Sequence, residues 1–222
     1  MYGRMMNKST YVTTRRQDSA LADVVGDFMD EYFYSKLGEK WKRVSDAKLQ
    51  KRGVDVMFGD CKIDEKVKIK GGFANTLLEY PSFELSFVNR YGKRQLGWFL
   101  DPNSLTDYYA MIAVFGDFED ETGVTADTIE HLNVLFVKKQ DIYDYIILNG
   151  VDVESGVRIL ETPGGGDRID HPGTGMHMKL SDRFSEQPIN LVVKRSYLYE
   201  LPNTREFEVY RNRIEDTRSR IC

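Results

Sequence analysis

At 222 residues, with 41% hydrophobic and 30% charged side chains, the chain has the composition of one large globular domain. That excludes an intrinsically disordered protein, and no apolar run approaches the ~20 residues a membrane-spanning helix needs. Its two cysteines, Cys61 and the terminal Cys222, have neither zinc-site nor disulfide-framework spacing, so a reducing, cytoplasmic setting is expected.

Net charge is −4, but it is unevenly spread: Lys36 to Lys70 carries 11 Lys/Arg against 6 Asp/Glu, and Asp101 to Asp170 carries 4 against 15. Such asymmetry suits a protein that meets a polyanion on one side, and equally suits two solvated surfaces. The start, MYGRMMNKSTYVTTRRQDS, is polar and mildly basic without a signal-peptide core. It is expected to be a flexible arm over 1–17, followed by one domain over 18–222.

Asp18 or Ser19 can cap a first helix. Its apolar residues Leu21, Val24, Val25, Phe28, Tyr32 and Phe33 recur at three- and four-residue spacing and stop near Leu37-Gly38. Alternation of period two then takes over in GVDVMFGD, CKIDEKVKIKG and FELSFVNRYGKRQLGWFL, which predicts a meander of three or four strands. Ser104 can cap a short helix through Tyr108. YYAMIAVF and HLNVLFVKK read as strands, QDIYDYIILNG as a helix closed by Gly150, and INLVVKRSYLYELP as a late strand. The glycine-rich stretch within 162–178 (TPGGGDRIDHPGTG) reads as a mobile surface loop. The fold class implied is α/β (α+β), with a central mixed β-sheet flanked by helices.

The chemistry concentrates on two of these strands. In CKIDEKVKIK, Ile63, Val67 and Ile69 share one face, and Asp64, Lys66, Lys68 and Lys70 share the other. In GVDVMF, Asp55 lies opposite Val54 and Val56, and a turn at Gly59-Asp60 can bring it beside Asp64. Two carboxylates that close repel each other unless a divalent cation sits between them, and without a Cys/His cluster a hard ion such as Mg²⁺ fits best, with Mn²⁺ as substitute. A cation held by two acids, with a lysine two residues along, has the parts for phosphodiester hydrolysis.

These residues resemble the PD-(D/E)xK phosphodiesterase superfamily, whose members share the restriction-endonuclease-like fold. Its Asp and its (D/E)-x-K are matched by Asp55 and by Asp64-Glu65-Lys66, and its helix–meander–helix–strand order is similar to the order from Ser19 to about Asn149. Val54 stands where the family's proline would precede the first acid. More locally, RVSDAKLQKRGVDV, IDEK, FELSF and GWFLD look like a group of restriction-type or phage-associated nucleases. The resemblance implies that Asp55 and Asp64 ligate the metal with the Glu65 backbone carbonyl, and that Lys66 is catalytic. It also implies a Mg²⁺-dependent endonuclease acting on DNA.

Glu84, opposite Phe83 and Leu85 in FELSF, could add a third catalytic acid; Asp27, Asp30 and Glu31 of the first helix are alternatives. The Glu65 side chain points among Ile63 and Val67 and needs a partner, for which Lys48, Lys51 or Arg52 could serve. Lys48, Gln50, Lys51, Arg52, Lys62, Lys68 and Lys70, with Arg43, could contact backbone phosphates. His131, His171 and His177 are scattered, the glycines lack a phosphate-loop context, and Trp41 and Trp98 read as core residues. Duplex cleavage by a single site would favour a homodimer. The competing readings are a non-catalytic nucleic-acid-binding or interaction module on the same fold, and an unrelated α/β protein whose acidic segment meets a protein partner.

Overall fold

In a computed structural model the chain is described over residues 8–38, 40–69, 81–119, 121–182 and 186–217. Helix α1 (Lys8–Tyr32) begins well before the expected cap at Asp18 or Ser19. Its apolar stripe Leu21, Val25, Phe28 and Met29 is buried, and the chain leaves it through a short 3-10 turn (Tyr34–Lys36) to Gly38, whose φ of +71° suits glycine. After β1 (Trp41–Arg43) and the single turn α2 (Ala47–Gln50) comes the hairpin of β2 (Val56–Phe58) and β3 (Cys61–Ile69). Gly59, at φ +57°, and Asp60 make its turn.

The expected meander stops there. Strand β4 (Ser82–Val88) does not pair with β3; with β5 (Arg94–Leu96) it enters a second sheet. The neighbour of β3 is β6 (Tyr108–Gly116), running parallel to it, with Asp64 opposite Tyr109. Period-two alternation marks each of these segments as extended but says nothing about which neighbour each one takes. The proposed short helix at Ser104 is absent: residues 104–106 form no regular element, and the Ser104 hydroxyl donates to Thr106 Oγ1 (3.0 Å).

Strand β7 (Ile129–Lys138) and helix α3 (Lys139–Leu148) fall where the sequence places them, and Gly150 closes the helix at φ +63°. A second helix, α4 (Val153–Glu161), follows, capped by Asp152. The glycine-rich stretch is an antiparallel hairpin of β8 (Arg168–His171) and β9 (Met176–Leu180) rather than an unstructured loop. Gly173 and Gly175 supply its positive-φ turn, and the short RIDH alternation is masked by the glycines around it. β10 (Ile189–Val193), the turn α5 (Arg195–Leu198), β11 (Arg205–Tyr210) and β12 (Ile214–Asp216) complete the chain.

The result is a mixed α/β fold with a curled β-sheet flanked by helices. Seven strands run in the order β1-β2-β3-β6-β7-β11-β12, and a second sheet runs β5-β4-β10-β9-β8. One core lies between α1 and the first sheet, around Phe28, Phe33, Ile63, Ile112 and Val134. The other lies on that sheet's opposite face, where Tyr109, Leu135 and Val137 meet Phe83, Leu85, Met178 and Leu191 of the second sheet and Ile142 of α3. Asp64 is opposite Tyr109, so it belongs to this second, inter-sheet face. Among the described residues no helix is long and apolar enough to cross a membrane.

Candidate active site

The sequence of β3 divides its side chains between two different polar environments. On the helix side, the Glu65 carboxylate accepts from Arg43 (2.7 Å) and from the Tyr34 hydroxyl (2.9 Å). Arg43 in turn pairs with Asp30 of α1 (2.6 Å). Burial pushes the Glu65 carboxyl above its ordinary range, and the Arg43 guanidinium pulls it back. The expected partners of Glu65 were Lys48, Lys51 and Arg52, but all three are exposed and outside this network. Arg43 reaches Glu65 because β1 lies on the far side of β2, and its side chain passes beneath the sheet toward α1. Arg43 is therefore committed to this network rather than to phosphate, and Asp30 is on the wrong face to join Asp64. Asp27 and Glu31 are exposed on the helix.

On the inter-sheet side, Asp64 is 2% exposed, and its Oδ1 lies 2.6 Å from the Lys66 ammonium. Asp55 sits just ahead of β2. Val56 is already opposite Ile63, yet the Asp55 amide also donates to the Ile63 carbonyl (2.9 Å). Two consecutive residues address one, as in a β-bulge, and the Asp55 carboxylate is re-aimed so that Oδ2 accepts from the Glu65 amide (2.8 Å). Since the amide and carbonyl of one strand residue share an edge, the Glu65 carbonyl opens on the side where Asp55 sits. Asp55, Asp64 and Lys66 are thus brought together. Burial, and then the Asp64 charge, push the Asp55 carboxyl up to about 7, with Lys66 pulling the other way. The proton involved belongs to the pair rather than to one residue.

The turn after α2 encloses the acids. Gly53 has φ +71°, and a Cβ there would lie 2.4 Å from Thr106 Oγ1 and 3.1 Å from Asp64 Oδ2. Thr106 donates to the Gly53 carbonyl (2.8 Å), and the Leu105 amide to the Arg52 carbonyl (2.8 Å), so this turn and the segment before β6 are tied together. Lys48, Lys51 and Arg52 are exposed around the same turn. Arg52 Nε already serves the Asn103 carbonyl (2.9 Å), and the Gln50 amide serves Val44 (2.9 Å). Lys68 is exposed further along β3, and Lys70 lies outside the described residues.

Three residues of the site were not anticipated. Trp98, expected in the core, is half-buried with the Lys66 ammonium 4.8 Å from its ring centre. Tyr109 packs edge-on against Trp98 at 4.8 Å; its buried hydroxyl has no hydrogen-bond partner among the described residues, and burial followed by the Asp64 charge raises its pKa. Lys139 opens α3, its amide bonded to the Asp107 carbonyl (2.9 Å). Burial lowers its pKa, while Asp101 and Asp64 oppose that shift. Lys139 stands 5.8 Å from the Tyr143 ring, which stacks on Phe99 at 4.7 Å. The KKQ run at the β7–α3 junction was the visible signal for Lys139, but its nearness to Asp64 depends on the parallel pairing of β3 with β6.

Glu84 accepts from the Trp98 amide and feels the charges of Lys66 and Lys68, yet it does not join the aspartates. Among the described residues no group of three or more His, Cys, Asp or Glu side chains is placed to hold a metal ion. The donors available are therefore two carboxylates and a backbone carbonyl. Mg²⁺ commonly takes one or two protein carboxylates and keeps several waters, so this set fits such an ion. The orphaned Tyr109 hydroxyl agrees with an oxygen ligand nearby. In comparisons with known proteins, the chain matches no family model, no curated protein and no solved structure.

Proposed function

We propose that the protein is a divalent-metal-dependent phosphodiesterase that hydrolyses DNA, with Asp55, Asp64 and Lys66 as its working set. The observation that carries this reading is the close pair Asp55 and Asp64: burial, and then the Asp64 charge, hold the Asp55 carboxyl at about 7, and the Lys66 ammonium lies 2.6 Å from Asp64. A folded protein keeps such like-charge repulsion in a partly enclosed place chiefly where a cation relieves it. The PD-(D/E)xK resemblance supports the reading, since the Asp lies just ahead of one strand of a hairpin, the Asp-x-Lys lies on the other, and a long helix precedes both. The departure of β4 to a second sheet is where the chain differs from that family's core order.

Asp55 and Asp64, with the Glu65 carbonyl, would hold Mg²⁺ or Mn²⁺, which when bound offsets phosphate charge and acidifies a ligated water. Lys66 holds Asp64 Oδ1 and, leaning on Trp98, stays directed at the place where a phosphate would approach. Its positive charge stabilises negative charge developing on the phosphate oxygens. The Tyr109 hydroxyl can donate to a phosphate oxygen or to the attacking water. Lys139, partly desolvated and within the influence of the Asp64 charge, would supply a second positive charge for the scissile phosphate. Lys48, Lys51, Arg52 and Lys68 would steer the backbone to the site in a salt-dependent way. Cleavage of both strands of a duplex would call for two copies of the chain acting together.

The test is plasmid nicking with Mg²⁺ or Mn²⁺ by the parent, Asp64→Asn and Lys66→Ala. The proposal expects nicking by the parent that EDTA abolishes, and a loss of at least 100-fold in either variant. Equal activity in all three would remove these residues from the chemistry. Salt-dependent binding without any cleavage would favour a non-catalytic nucleic-acid-binding module.

A further inference from the structure

A cleft of about 290 Å³ is lined by Phe87, Leu96, Trp98, Glu84, Asp101 and Glu186. It adjoins the candidate site at Trp98. Trp98 carries Lys66 on its ring, and Asp101 acts on the charge of Lys139. Gly97 makes one wall possible: a Cβ there would lie 2.4 Å from the Glu84 carbonyl oxygen and 2.7 Å from its Cγ, so only glycine lets the Glu84 side chain fold over to the Trp98 amide. Leu96, on the edge strand β5, is 56% exposed at this cleft, an apolar side chain that packing does not require there.

The lining decides the occupant. Three carboxylates repel a phosphate, so the cleft does not extend the track of the nucleic-acid backbone. It combines flat or apolar surfaces with hydrogen-bond acceptors, which matches a ring that has apolar faces and N–H donors on its edge. Burial and the neighbouring Glu186 already hold Glu84 above the ordinary carboxylate range, so an N–H donor arriving there would be strongly favoured. Guanine, adenine and cytosine each carry an exocyclic amino group. Thymine has one N–H between two carbonyls, which a carboxylate repels. In a duplex the faces of each ring are covered by its stacked neighbours, so a base that lies against Trp98 and Leu96 must be out of the stack and unpaired.

We infer that this cleft is a subsite for one unpaired, amino-bearing nucleobase next to the cleaved phosphate, and that the substrate is accordingly single-stranded or locally unpaired DNA. The inference rests on the phosphodiesterase reading, but it can fail separately. The four deoxynucleoside 5′-monophosphates are titrated into the full chain in Ca²⁺ while tryptophan fluorescence is followed. Trp98 is at the cleft, whereas the other tryptophan, Trp41, stacks on Tyr34 on the opposite face of the sheet. The subsite predicts quenching by dGMP, dAMP and dCMP with an affinity about tenfold above that for dTMP. The preference should be reduced in Glu84→Gln and in Glu186→Gln, and the signal lost in Trp98→Phe. Equal quenching by all four nucleotides, no quenching, or quenching that survives Trp98→Phe would overturn it. Base-selective quenching without DNA cleavage would keep the subsite and remove the nuclease, while cleavage without base selectivity would do the reverse.

Discussion

Asp55→Asn should stabilise the metal-free protein at neutral and alkaline pH. The Asp55 carboxyl is held at about 7 in the fold against an ordinary 3.8. At about 1.4 kcal/mol per pH unit, that gap makes the ionised pair cost roughly 4 kcal/mol of stability as an upper bound. The sign follows from proton binding. Between pH 4 and 7 the folded chain holds a proton that the unfolded chain has released, so stability falls as pH rises through this window and levels off above it. Asparagine retains an oxygen for the Glu65 amide, which Asp55 Oδ2 now accepts at 2.8 Å, and sheds the repulsion from Asp64. Thermal melts with EDTA should therefore show the variant about 5–10 °C above the parent at pH 8, and only about 2–4 °C above it at pH 5. Mg²⁺ should raise the parent toward the variant and leave the variant unmoved. A variant that melts lower at pH 8, or a gap equal at both pH values, would refute the claim that burial and the Asp64 charge together destabilise ionised Asp55.

Replacing Arg43 by alanine leaves Glu65 buried without its cation, and urea denaturation should show a loss of about 3–5 kcal/mol with metal affinity unchanged, because that network faces α1. Gly53→Ala places a methyl 2.4 Å from Thr106 Oγ1 at a positive φ and crowds Asp64 Oδ2, so it should cost about 1–3 kcal/mol and also weaken Mn²⁺ binding. Lys139→Gln should lower kcat for DNA cleavage about 10- to 100-fold while Mn²⁺ affinity holds, measured by single-turnover kinetics alongside calorimetry.

Much of the hairpin's chemistry was legible in the sequence because alternation along a single strand depends only on local geometry. CKIDEKVKI has to place Asp64 and Lys66 on one face and Glu65 on the other, and it does. The position of Asp55 was legible only in part: the turn brings it near Asp64, but a bulge at Val56, invisible in the residue pattern, aims it at the Glu65 amide. Pairing between distant strands was not legible at all. FELSF alternates well enough to continue a meander, yet Phe83 and Leu85 are buried from a second sheet while β6 takes the place beside β3. Trp98 and Lys139 acquire their roles through that pairing, and Arg43 through the pairing of β1 with β2. Arg43 is far along the chain from Glu65, Trp98 from Lys66 and Lys139 from Asp64, and no spacing rule links these partners. The glycines of the β8–β9 hairpin misled for a different reason, since a positive-φ turn and a flexible loop ask for the same residue.

The central claim is that Asp55 and Asp64 together hold one divalent cation. Calorimetric titration of Mn²⁺ into the parent, Asp55→Asn and Asp64→Asn at pH 7.5 addresses it without requiring any substrate. The account predicts one ion per chain in the parent and no measurable site in either variant. Binding of equal strength in all three would contradict it.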